Sequence, residues 1–316
     1  MKRYILQRLA QLVIVMFAVS LISFALIRQI PGVKIEIVIA GPGANEQQVQ
    51  EVKELWRLDE PIPVQYGIWV KNMLTGDLGR SSAFSVSAAS LITDRLPNSI
   101  RLMVYAQFLS LALAMPLGMI AAYRVNSRLD RAISITSFGF LSFPPVVAGP
   151  FLVWLLAVKA GWLPAIYSDV GFFSDPWQHF KVWLLPTLVL SFSIVAGYLR
   201  LLRSDMAATL QSDFITMARA KGLTPRRIMW RHALRASSIT LLTVAGLSVG
   251  TMIGSALVVE VIFGIPGLGT LTAEAIIGLQ YGALQTYVAA MAILFVVVNI
   301  GVDILYGVVD PRIRNV

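Results

Sequence analysis

Cysteine is absent from the 316 residues, and histidine occurs only at 179 and 232. The chain therefore has no disulfide framework, no thiolate metal site and no cysteine nucleophile. Two histidines also fall short of a multi-histidine metal site within one chain. Charge is scarce: Asp, Glu, Lys and Arg make up 14% of the residues, against about 25% in an average soluble protein. Apolar residues fill the difference, at 57% with a mean hydropathy of +0.73, which excludes an ordinary water-soluble globule. The 26 Lys and Arg outnumber the 17 Asp and Glu, an excess that taken alone would suggest nucleic acid. These cations lie between long apolar runs, however, so the partner they indicate is a membrane surface.

A helix crossing the hydrocarbon core needs about 20 mostly apolar residues. Six stretches qualify or come close: 9–27, 102–123, 132–158, 182–199, 239–259 and 283–302. The third is interrupted by Pro144, Pro145 and Pro150. An even number of spans puts both termini on one side. Lys and Arg accumulate on the cytoplasmic side, and Lys2, Arg3, Arg8, Arg124, Arg128, Arg131, the basic residues from Arg200 to Arg235, Arg312 and Arg314 all fall together. The expectation is an all-α polytopic membrane protein with six spans and both ends in the cytoplasm. The first apolar run exceeds a signal-peptide core, and Arg28-Gln29-Ile30-Pro31-Gly32 offers no small-x-small cleavage site, so it reads as an anchor. The domains expected are a tail with the first span (1–30), an extracytoplasmic segment (31–98), and a core of five spans (99–316) with a cytoplasmic loop at about 203–237.

The extracytoplasmic segment is small for a catalytic domain. Asn45 and Glu46 can start a helix through 47–58, where Val49, Val52 and Leu55 or Trp56 recur at helical spacing. Pro61 and Pro63 then break it, and residues 68–74 form a second short helix closed by Gly76. Packing onto the spans or docking a partner suits this piece better than chemistry.

The cytoplasmic loop carries the sharpest local signal. Ser212 or Asp213 can cap a helix through Lys221, with Gly222 as its stop. Thr224-Pro225 then reads as an N-cap with proline at the first helical position, opening a second helix toward the fifth span. On that helix Arg227, Arg231 and Arg235 make a basic stripe. Such a stripe can bind a partner or simply meet lipid phosphate and enforce topology.

Here the sequence resembles a known family. Asp213-Phe214-Ile215-Thr216-Met217-Ala218-Arg219-Ala220-Lys221-Gly222-Leu223, followed by Arg231-His232-Ala233-Leu234-Arg235, is similar to the cytoplasmic coupling loop of ABC importer permeases of the dipeptide/oligopeptide/nickel class, B type. Arg3-Tyr4-Ile5-Leu6-Gln7-Arg8-Leu9 and Pro31-Gly32 agree, as do Leu58-Asp59-Glu60-Pro61-Ile62-Pro63-Val64-Gln65-Tyr66 and Gly76-Asp77-Leu78-Gly79-Arg80. The later stretches Val259-Glu260-Val261-Ile262-Phe263-Gly264-Ile265-Pro266-Gly267-Leu268-Gly269, Asp303-Ile304-Leu305-Tyr306 and Asp310-Pro311-Arg312-Ile313-Arg314 agree too. The general importer motif has Glu-Ala-Ala, three residues and then Gly. This chain has Thr216-Met217-Ala218 before Gly222, and so lacks the acidic position.

The resemblance implies a type I importer permease in a bacterial inner membrane, taking up di- or oligopeptides. Nickel chelates or glutathione-like compounds are the alternative cargo; a channel or exporter without a binding protein is the alternative of another class. It implies a second homologous permease, two ATPase subunits and an extracytoplasmic solute-binding protein as partners. The chain itself would be non-catalytic and without cofactor, ATP and Mg belonging to the ATPases. The coupling residues expected are Ala218 and Ala220 as close-packing positions, Arg219 and Lys221 as polar contacts, and Gly222 as the corner.

Other features carry less. Gly246, Gly250 and Gly254 recur every four residues, a small-residue face for packing within the chain or against a paired permease. The prolines of the third span can free carbonyls for a pathway or simply kink it. Glu260 and Asp303 are the acids closest to hydrocarbon, each near a span end, where snorkelling or a partner arginine suffices. The glycines from Gly264 to Gly269 lack the Lys-Ser/Thr of a phosphate loop. His179 and His232 fall on opposite sides, and no Gly-x-Ser-x-Gly nucleophile elbow appears, which leaves an intramembrane hydrolase without its nucleophile and base.

Overall fold

The computed structural model describes residues 13–22, 24–25, 43–75, 80–81, 86–278 and 280–309. Helices dominate: α1 (Val13–Ile22), α2 (Glu46–Trp56), α3 (Ile62–Leu74), α4 (Ala88–Tyr123), α5 (Arg128–Leu141), α6 (Pro145–Lys159), α7 (Pro176–Thr209), α8 (Asp213–Ala220), α9 (Pro225–Phe263), α10 (Leu268–Ile277) and α11 (Tyr281–Val309). A two-residue antiparallel ladder, β1 (Arg80–Ser81) with β2 (Val86–Ser87), is a minor addition to the expected all-α fold. Four helices, α4, α7, α9 and α11, are long and apolar enough to cross a membrane. The α5–α6 pair makes a fifth if taken as one span, and α1 is the described part of the first. The resembling stretches 3–9, 31–32, 76–79 and 310–314 lie outside the described residues, as does the side chain of Asp303.

The third expected span is not one rod. Its two halves meet at 104° over a break at 142–144. Pro144 and Pro145 cause it, because neither can donate to the preceding turn and each pushes its predecessor out of helical geometry. Pro145 then opens α6 at a position where its missing N–H costs nothing, and the helix widens to π geometry over Val153–Lys159.

The contacts divide the chain into two compact units, Met1–Ser99 with Pro266–Val297, and Ile100–Ile265 with Val298–Val316. In the first, Asn45 caps α2 through a full capping box with Gln48. The second short helix, α3, starts six residues earlier than the sequence suggests. Pro63 sits in its first turn, where proline is tolerated, so it begins the helix rather than blocking it. Trp69 of α3 packs with Phe24 and Ala289, flanked by Tyr66, whose hydroxyl lies 2.7 Å from that of Ser20. A second cluster joins Ala88 to Leu268, Leu271 and Ala275 of α10 and to Ala283 and Tyr287 of α11. The Ser99 hydroxyl accepts the Leu268 N–H at 2.8 Å, and the Asn98 amide donates to the Pro266 carbonyl at 2.9 Å. Residues distant in sequence thus cap α10.

In the second unit, α7 is the central helix. Two-thirds (67%) of its apolar window is buried within the chain, against 33% for each of the other three long helices. It packs against α5, α6 and α9. At Gly118 of α4 a methyl group would stand 3.2–3.3 Å from Leu199 and Leu202, so the absence of a side chain sets how closely α4 approaches α7. The Arg203 guanidinium grips Asp130 with two hydrogen bonds of 2.5 and 2.6 Å, tying α7 to the first turn of α5. Buried between helices, the Tyr198 hydroxyl donates to Gln107 Oε1 at 3.1 Å and also contacts Ser248.

Candidate functional site

The corner between α7 and α9 is built around α8. Ser212 takes the N-cap position, but its hydroxyl donates to the Thr209 carbonyl at 2.6 Å instead of capping α8. Asp213 occupies the first turn, where a carboxylate suits the helix dipole. At the other end the Gly222 N–H bonds the Arg219 carbonyl at 2.9 Å and the Leu223 N–H bonds the Ala218 carbonyl at 3.2 Å. This double closure is a Schellman motif, and it requires a left-handed residue at its turn. Gly222 supplies it with φ of +75°. Leu223 then packs onto the same core as Ala218.

The eight residues of α8 present two apolar faces. Ile215 and Ala218 point inward, fully or nearly buried beside Met206, Ile228, Met229 and Ala233. Phe214 and Met217 point out, 48% and 59% exposed. Ala218 is thus a close-packing position against its own chain, whereas Ala220 lies on the exposed side together with Arg219, Lys221 and Gly222. The Arg219 guanidinium reaches back to the Leu210 carbonyl at 3.4 Å. Of the five coupling residues expected from sequence, Ala220 and Lys221 face outward, the Lys221 N–H bonding the Met217 carbonyl at 3.0 Å while its side chain has no described bond. Phe214 and Met217 were not singled out from the sequence; their i, i+3 spacing was the available signal.

Beyond Gly222 the chain turns at Thr224 and Pro225, which take the N-cap and first helical positions, although the threonine hydroxyl makes no cap bond. From there α9 runs unbroken for 39 residues through the fifth span. A π-helical stretch at Ile228–Ala233 interrupts its α geometry, and Arg227, Arg231 and Arg235 are all exposed. Wide turns of this kind occur frequently at functional positions.

The remaining sequence candidates fall as follows. Gly246 and Gly250 are buried within the chain, whereas Gly254 is exposed with open space where a side chain would go. The first two are thus taken up by packing within this chain, and the third is not. Glu260 is buried and holds an interaction within the chain. His179 is buried, Nε2 3.0 Å from the Tyr105 hydroxyl and Nδ1 2.6 Å from the Val170 carbonyl, which makes it a structural residue. Among the described residues no group of three metal-ligating side chains comes together.

Comparison with known proteins gives a consistent result. Residues 114–315 match the family described as "Binding-protein-dependent transport system inner membrane component", and residues 1–103 match the N-terminal model of the same transport system membrane component. A probable peptide ABC transporter permease of Sinorhizobium fredii is 36% identical over 98% of this chain and 99% of its own length. An oligopeptide transport system permease of Bacillus subtilis is 34% identical over 99% of this chain and all of its own. A glutathione transport system permease of Shigella flexneri is 31% identical over 99% of both. Among solved structures, the methionine ABC transporter in an inward-facing conformation superimposes with a TM-score of 0.58 at 16% identity, over 73% of this chain and all of that one.

Proposed function

We propose that this chain, which belongs to the family of binding-protein-dependent transport system inner membrane components, is the permease subunit of an importer of di- or oligopeptides. Its fold is that of a type I ABC importer permease. The observation that carries the reading is the α8 corner, a short helix anchored by Ile215 and Ala218, locked by Gly222, and leading into a helix continuous with a span. A disordered loop would absorb a push from a partner, whereas a rigid helix can pass it on as a rigid-body movement.

In this reading an ATPase subunit receives the outward face of α8. Phe214 and Met217 enter an apolar groove, while Arg219, Ala220 and Lys221 meet its rim. Closure of two ATPases around ATP and Mg moves α8 together with α7 and α9, because its inner face is part of their common core. A second, homologous permease completes the pathway, and an extracytoplasmic binding protein delivers cargo. The bacterial inner membrane is the site, with both termini and α8 in the cytoplasm. Peptides are the first choice of cargo because relatives named for peptide transport match at 36% and 34% identity; the glutathione permease, at 31%, supplies the second.

The test is purification of the complex from its host in mild detergent, with ATP hydrolysis measured after reconstitution. Two ATPases and a second permease should co-purify, and a peptide-loaded binding protein should stimulate hydrolysis. Stimulation by glutathione alone would transfer the reading to that cargo. Transport that runs without any extracytoplasmic partner would replace it with a channel or exporter.

A further inference from the structure

Two adjoining grooves lie where α4 ends and α9 begins. One, of about 550 Å³, is a mostly apolar slot floored by Met119 and Met229 and walled by Pro116 and Ile120. Tyr123, Arg124, Arg226 and Trp230 stand at its mouth. The other, of about 560 Å³, is lined by Thr224, Arg226, Arg227, Trp230 and Arg231, so Arg226 and Trp230 belong to both. Among the described residues none of these arginines pairs with a carboxylate.

We propose that the slot and its arginines hold an anionic phospholipid. One wall of the slot, Pro116 to Tyr123, ends an apolar stretch, where hydrocarbon gives way to headgroups, and the start of α9 packs beside it. Tyr123 and Trp230, both more than half exposed, are the amphipathic rings that favour this level. An acyl chain fits the methionine-floored slot, and a phosphate meets guanidinium groups whose planar fork suits its oxygens. Neither part alone specifies the ligand: an apolar chain leaves the arginines unneutralised, and a free phosphate leaves the slot wet. Both parts together match a single amphiphile of negative charge. Such a lipid bridges α4 to the start of α9, directly beside the α8 corner. This inference rests on membrane insertion alone, so it survives or fails independently of the cargo.

The experiment uses the full chain in phosphatidylcholine nanodiscs containing a trace of photoactivatable phosphatidylglycerol or, separately, photoactivatable phosphatidylcholine. Cross-links are mapped by mass spectrometry. The expected result is labelling of 116–124 and 225–231 by phosphatidylglycerol about 25-fold above phosphatidylcholine, about fivefold for each of two arginines. Loss should be about fivefold for each arginine removed in Arg124→Gln and Arg226→Gln, with Lys181→Gln unchanged. Ile120→Trp fills the slot without altering charge and should also reduce labelling; helix content and elution confirm folding, and the arginine variants carry the test if it misfolds. Equal labelling by the two lipids, or labelling indifferent to the arginines, overturns the proposal. So does labelling that vanishes when the chain is assembled with its ATPase subunits, since a protein surface then covers the slot.

Discussion

At the scale of single residues, backbone geometry and close approach explain more than side-chain chemistry does. Gly222 stands in open space, so size at this position is free; the constraint is its φ of +75°. An L-residue in that conformation costs about 1–2 kcal/mol. Gly222→Val should therefore loosen the corner without touching the core. Hydrogen exchange at the amides of residues 222 and 223 should accelerate, and stimulation of the ATPase by the binding protein should fall while the complex still assembles. Unchanged coupling would separate the corner from energy transfer. Gly118 is the opposite case, an ordinary helical residue limited by space. Gly118→Val should force α4 from Leu199 and Leu202 and cost about 1–3 kcal/mol, visible as a lower melting temperature in detergent. Its role was not legible in the sequence, where one glycine in an apolar helix gives no sign of its neighbour.

At the scale of elements, α8 has one face buried in its own core and one face exposed, so stability and the proposed coupling fall on different sides. Ile215→Ala removes a fully buried side chain and should destabilise the chain by about 2–5 kcal/mol. Phe214→Ala and Met217→Ala remove exposed ones, so melting should shift by no more than about 0.5 kcal/mol equivalent. If an ATPase groove receives these two side chains, the same variants should lower stimulated hydrolysis. Equal melting losses on both faces would contradict this division. The pairing of α5 with α7 depends on Asp130, which also accepts the Asn126 N–H at 2.9 Å and so holds the turn entering α5. Asp130→Asn should cost about 1.5–3 kcal/mol, the range for hydrogen bonds to charged groups, and Arg203→Lys should recover little because the two-pronged grip is lost. The helix stop at Gly222 and the helix start at Asn45 were legible because both depend on neighbours a few residues away. The long-range cap of α10 by Ser99 was not, since its donor and acceptor are far apart in the chain.

At the scale of the molecule, basic groups of the second unit flank the ends of its apolar stretches and lie over aromatic rings. Lys159 lies over Trp154 at 5.4 Å, Lys181 over Trp177 at 5.2 Å and Arg101 over Trp183 at 5.5 Å. Arg200 lies over Phe138 at 5.6 Å, and Tyr123 and Trp230 stand near the α8 corner. Belts of this kind mark the two membrane–water interfaces. The lack of cysteine makes the proposed orientation simple to test, because an introduced thiol has no background. Phe173→Cys, at a position 96% exposed in the loop before α7, should react with a membrane-impermeant maleimide in intact spheroplasts. Lys221→Cys should react only after permeabilisation. The reverse pattern would invert the chain and remove the cytoplasmic reading of α8.

Sequence alone determined the number and approximate limits of the apolar stretches, the family, and the short helix–glycine–proline corner. Each rests on composition or on neighbours within a few residues, where physical rules act locally. Tertiary structure decided which face of α8 is left for a partner, that α7 is the buried centre of its unit, and that the third apolar stretch folds back at 104°. It also brought Arg124 and Arg226 to one groove. In a nearly uniform apolar helix every side can face lipid or protein equally well by composition, so only packing selects between them.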